Sequence, residues 1–110
     1  MVFIDQTRLR ALRDDIGEDC FADVATMFIG EIDAHMRKLL ANPAQAKPAD
    51  FHYMHGSAAN MGFSALATAC KAAEDACHTG NLPDMAGIEM AFHGALDDLQ
   101  AAMPNILLPA

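Results

Sequence analysis

No run of about 20 apolar residues crosses this chain, and no basic-then-apolar leader opens it. A membrane-spanning helix and a secretory signal are therefore not expected, whereas a soluble cytoplasmic protein is. Basic residues are few. Seven Lys and Arg against fifteen Asp and Glu leave a formal net charge of −8 and a pI near 4.7, a balance that repels nucleic acid and anionic membrane and favours a partner with a basic or mixed docking face. Cysteine is scarce too: three thiols cannot all pair. Cys70 and Cys77 stand two helical turns apart, about 10 Å, too far for a disulfide, so both are expected as reduced, buried thiols, and Cys20 takes no assigned role. Absent as well are a strand-like alternation of apolar and polar residues, an internal repeat, a low-complexity tract and a nucleotide-binding loop.

What is present is helical periodicity over a length suited to one domain, residues 1–110. A short first helix is expected from the N-cap Asp5 to Gly17, with Leu9 and Leu12 inward. A second begins at Glu18 or Asp19 and runs to Ala41, with Phe21, Val24, Phe28, Ile32, Met36 and Leu39 on one stripe. Residues 42–48 form the longest loop, and Pro48 suits the first turn of a third helix. That helix breaks near Gly62-Phe63-Ser64. A fourth places Leu66, Ala69, Cys70, Ala73 and Cys77 inward and stops at Gly80. A fifth runs from Pro83 to Met103, carrying Met85, Ile88, Phe92, Ala95, Leu96 and Leu99, and ends before Pro104. Four long helices with short connections predict an all-α antiparallel four-helix bundle, with the additional N-terminal helix capping one end.

The stretch FHYMHGSAANMGF, residues 51–63, carries the chemistry. Phe51, Met54, Ala58 and Met61 make a core stripe. His52 lies off it, sharing a face with His55, Gly56 and Ala59, so nearly bare backbone flanks its ring and a docking partner could come close. If the third and fourth helices fold back on each other at Phe63, residues equally distant from it face one another: His52 meets Glu74, and His55 meets Lys71. A carboxylate accepting the Nδ1 proton of His52 would leave Nε2 unprotonated and nucleophilic, and nearby cations would stabilise an arriving phosphoryl group. The bland alternatives are a solvated His55 and a Lys71–Glu74 surface ion pair. His35, His78 and His93 show no partner set.

The run HYMHGSAANMGFSALATACKAAEDA resembles the histidine-phosphotransfer (HPt) domain, whose motif places His-x-Leu-Lys-Gly-Ser ahead of small residues, a Leu-Gly pair and a Leu-rich helix. His52, Met54, Gly56, Ser57, Met61-Gly62, Leu66 and Glu74 occupy the matching positions, and the similarity extends over nearly the whole chain. The resemblance implies a phosphorelay protein in which His52 exchanges a phosphoryl group with receiver-domain aspartates. Glu74 would orient it, His55 or Lys71 would stabilise the phosphate, and Gly56 and Ala59 would leave room for docking. Response-regulator receiver domains are the implied partners, together with a hybrid sensor histidine kinase. No cofactor is expected in this chain, Mg2+ being expected on the receiver, and no metal site of its own.

One departure from the motif stands out: the usual lysine is His55, whose charge is only partial near neutral pH. It supports an alternative, a phosphorylation-silent HPt-like module that binds a receiver or kinase. A zinc site using His52 and His55 with Cys70, Cys77 or His78 is a weaker reading, since the cysteines face inward. Autokinase activity is not expected, because no ATP-binding domain fits in this length. A free-standing protein is expected from the Met1 start and the full set of helices, and a monomer because no dimerisation domain is needed.

Overall fold

The structure, a computed structural model, describes residues 2–104 and residue 106; Met1, Asn105 and residues 107–110, which the single-domain expectation includes, lie outside it. Five α-helices and one short 3-10 turn follow in order: α1 (Gln6–Ile16), α2 (Glu18–Ala41), the turn Pro43–Gln45, α3 (Pro48–Asn60), α4 (Ser64–His78) and α5 (Met85–Ala102). No strand occurs among the described residues. The chain is an all-α helical bundle, as expected, built around the buried faces of these helices.

Local chemistry sets the helix boundaries. Asp5 accepts a hydrogen bond from the Arg8 N–H at 3.1 Å and starts α1. Gly17, at φ +83°, closes α1 by donating its N–H to the Arg13 carbonyl, and α2 begins at once with Glu18, which pairs with Arg13. Asp50 accepts from the Lys47 N–H at 2.9 Å at the entry to α3. The fifth helix starts at Met85 rather than at Pro83, because Asp84 is its cap and accepts from the Gly87 N–H at 2.9 Å.

The core corrects parts of the expected stripes. On α2 the buried residues are Phe21, Ala25, Ile29, Ile32, Met36 and Leu39, while Val24 and Phe28 are half-buried. The small Ala25 continues the four-residue spacing from Phe21 to Ile29, so the buried stripe follows these positions and Val24 and Phe28 flank it. Half-buried too are Leu12, Ala69, Cys77 and Met85, whereas Cys70 is fully buried and Cys20 exposed. The α3 stripe of Phe51, Met54, Ala58 and Met61 is wholly buried.

The turn between α3 and α4 fixes the hairpin that carries the site. Met61, Gly62 and Phe63 are buried there, and Gly62 adopts φ +73°. Its carbonyl accepts the Asp5 N–H at 2.6 Å, and an added Cβ would lie 2.9 Å from the Asp5 carbonyl oxygen. Only glycine fits both the left-handed backbone and this close approach. The start of α1 is thereby fastened to the hairpin tip, the cap on one end of the bundle that the sequence predicts.

Candidate functional site

His52 stands on the outer face of α3 with its side chain 74% exposed. Its Nδ1 lies 3.4 Å from Oε2 of Glu74 on α4, whose side chain is only 12% exposed. The separation is that of an ion pair and is longer than an ordinary hydrogen bond. Hairpin register brings the two together, since both are equally spaced about Phe63, and small residues around them let α3 and α4 approach. An exposed imidazole whose inner nitrogen faces a covered carboxylate has its outer nitrogen, Nε2, free for chemistry.

Glu74 faces more than His52. Lys71 Nζ lies 3.7 Å from Oε1, and His78 Nε2 lies 3.9 Å from Oε2. Neither is close enough for a hydrogen bond, and Oε1 is covered with no hydrogen-bond partner. Lys71 also pairs with Asp75 at 3.4 Å, so its ammonium is shared between two carboxylates of its own helix.

His55 meets α4 one helical turn before Lys71. His55 is half-buried, and its Nδ1 lies 2.9 Å from the carbonyl oxygen of Ala67. A carbonyl can only accept, so Nδ1 carries the proton and Nε2 is left as the ring's second polar atom. The Lys71 stem carries its ammonium towards Glu74 and Asp75. Gly56 and Ala59 are exposed, and an added Cβ at Gly56 would meet nothing within 4 Å.

Two histidines without an expected partner have one. His78 reaches Glu74, and the signal for it was available in the sequence, because the two stand four residues apart on α4. His35 on α2 lies 3.4 Å from Asp50 and stacks, tilted, on Tyr53 at 5.2 Å between ring centroids. Tyr53, the neighbour of His52, donates its hydroxyl to Glu31 of α2 at 3.1 Å. That hydrogen bond, with the Glu31 charge behind it, raises the phenol above its ordinary range. These links join α2 to α3 across long sequence distances and left no local trace. His93 makes a ring contact with its neighbour Phe92 at 5.7 Å.

Among the described residues, no group of three or more His, Cys, Asp or Glu side chains is arranged to hold a metal ion. Burial pushes the Cys70 thiol up to about 12, the wrong direction for a zinc-binding thiolate. Cys77 is raised as well, by burial first and the Asp50 charge second. No described helix is long and apolar enough to cross a membrane.

Comparison with known proteins agrees with this geometry at the level of the family. Neither the curated proteins nor the solved structures give a significant match. A family model described as the Hpt domain matches residues 23–102, from within α2 to the end of α5, and so includes the α3–α4 hairpin with His52 and Glu74. With the helical bundle and the greater part of the chain in agreement, the protein belongs to the Hpt domain family, the phosphotransfer modules of two-component signalling that interact with receiver domains and kinases.

Proposed function

We propose that this protein is a phosphocarrier in a multistep phosphorelay, with His52 exchanging a phosphoryl group with aspartates of response-regulator receiver domains. The observation that carries the reading is the pairing of an exposed His52 with the covered carboxylate of Glu74. Glu74 favours the tautomer with the proton on Nδ1, and the Nε2 lone pair attacks the phosphorus of an aspartyl phosphate. The N–P bond forms as the P–O bond breaks, and its electron pair returns to the receiver's carboxylate. Nδ1 keeps its proton throughout, so the phosphorylated ring gains positive charge, which Glu74 faces and stabilises. Return transfer reverses each movement.

The docking face supports this reading. Gly56 and Ala59 flank His52 with little or no side chain, leaving a receiver's active-site rim room to approach. The metal ion and acidic pocket of the reaction are expected on the receiver, and a hybrid sensor kinase is the proposed upstream source of phosphate. His55 is the proposed phosphate-stabilising group in place of the usual lysine: its Nδ1 is held by the Ala67 carbonyl, and its Nε2 becomes a charged donor when protonated. Lys71 is a weaker candidate because Glu74 and Asp75 already hold it.

The test is transfer of labelled phosphate from a phosphorylated receiver domain to the purified protein and to His52→Gln. Acid-labile label on the wild type and none on the variant is expected. Binding to a receiver with no label from any of several donors would establish instead the phosphorylation-silent module.

A further inference from the structure

We propose that His78 is a pH-responsive positioning residue for His52, acting through the carboxylate they share. This rests on the phosphocarrier reading for its consequence, though not for its geometry. One oxygen, Oε2 of Glu74, lies 3.4 Å from Nδ1 of His52 and 3.9 Å from Nε2 of His78. The other, Oε1, is covered, without a hydrogen-bond partner, and only within ion-pair reach of Lys71. The carboxylate therefore has a single outward-facing oxygen and two imidazoles that can claim it. The side chain of His78 is 62% exposed and open to solvent.

Imidazoles ordinarily titrate near pH 6.5, at about the acid edge of the physiological range. With His78 neutral, Glu74 is available to hold the Nδ1 proton of His52 and to stabilise the charge that develops on its ring. With His78 protonated, a full positive charge sits beside the same oxygen, screens the carboxylate and competes for its lone pairs. The phosphoryl group forms on the opposite nitrogen of His52, so the added cation acts on the orienting side of the ring. Other charged groups around this cluster are Lys71 and Asp75 on α4, Asp50 on α3 near Cys77, and His35 of α2, which pairs with Asp50. Among the described residues, no ion pair from α5 reaches it. Two imidazoles, His52 and His78, thus face Glu74, and substitutions at residue 78 separate the charge of His78 from that of His52.

The experiment compares wild type with His78→Gln, which never carries the charge, and His78→Lys, which always does. Transfer rates from one phosphorylated receiver are measured at about pH 6 and about pH 8; the donor's own pH dependence cancels in the ratio of variant to wild type. His78→Gln should match wild type at the higher pH and exceed it by about threefold at the lower, and His78→Lys should be slower by about threefold at the higher. Nitrogen NMR of the His52 ring, recorded without any partner, should show less of the Nδ1-protonated tautomer in His78→Lys than in His78→Gln at the higher pH. Equal ratios at both pH values, or a His52 tautomer indifferent to residue 78, would overturn the proposal. A rate change without a tautomer change would assign His78 to receiver docking and overturn it equally. Failure of all three proteins to accept phosphate would sink the phosphocarrier reading, and the tautomer measurement would still decide the role of His78.

Discussion

Glu74 holds Oε2 3.4 Å from Nδ1 of His52, and the pair spans the α3–α4 hairpin with the histidine open to solvent and the glutamate nearly covered. A covered carboxylate can align an imidazole, and its neutral isostere cannot stabilise the ring's positive charge. Glu74→Gln is expected to slow phosphoryl transfer to His52 about tenfold, the equivalent of about 1.4 kcal/mol of lost charge stabilisation. His52→Gln should abolish transfer and leave thermal unfolding essentially unchanged, because the side chain is 74% exposed. Stopped-time transfer assays and circular-dichroism melts check the two.

Replacing His55 by lysine supplies a charge that does not depend on pH in the physiological range. The ratio of His55→Lys to wild-type transfer rates is expected to rise from about pH 6 to about pH 8, since a lysine stays charged over the interval in which imidazoles ordinarily titrate. Lys71→Ala, by contrast, should change the rate by less than about threefold, its ammonium being held by Glu74 and Asp75. A flat ratio for His55→Lys would remove His55 from the phosphate site.

Space beside His52 separates folding from docking. A methyl group at Gly56 meets nothing within 4 Å, so Gly56→Ala should raise stability by up to about 1 kcal/mol through helix propensity. Gly56→Leu should fold as well as Gly56→Ala yet bind a receiver at least about tenfold more weakly, as filling the docking clearance adds steric cost. Chemical denaturation and receiver titration read the two effects independently.

Gly62 is the opposite case. Its φ of +73° and the 2.9 Å approach of a built Cβ to the Asp5 carbonyl oxygen leave no room for alanine. Gly62→Ala is expected to destabilise the fold by about 2 kcal/mol or more, visible as a lower denaturation midpoint with an unchanged slope.

Tyr53 is the chain's one tyrosine, so its ionisation can be followed by ultraviolet absorbance without interference from another. The hydrogen bond to Glu31 and that residue's charge raise it from the ordinary value of 10.0. The folded state thus favours the protonated phenol: the contribution is fully present below pH 10.0 and is lost as pH rises through the raised folded value. Glu31→Gln should lower the native titration midpoint, and the unfolded proteins should titrate alike.

How much of this was legible in the sequence differs from residue to residue. The boundary at Gly17, the cap Asp5, the loop after Ala41 and the core stripe of α3 follow from local preferences, and the sequence shows them. His52 and Glu74 were also within reach, because a tight turn at Phe63 makes pairing across an antiparallel hairpin a matter of counting. Counting did not supply the polar partners, which are the Ala67 carbonyl for His55 and Glu74 and Asp75 for Lys71. Counting positions locates backbones facing each other; side-chain length and the nearest available polar atom decide which groups meet.

The sequence by itself determined an all-α bundle, its helix boundaries to within a residue or two, and a histidine on a face of small residues. Those properties come from periodicity, capping and backbone preference, each acting over a few neighbouring residues. Tertiary structure alone decided that α1 is fastened to the hairpin tip, that Tyr53 and His35 tie α3 to α2, and that His52 and His78 face one oxygen of Glu74. The links between helices depend on how distant segments pack, and the energy that selects them is absent until they have.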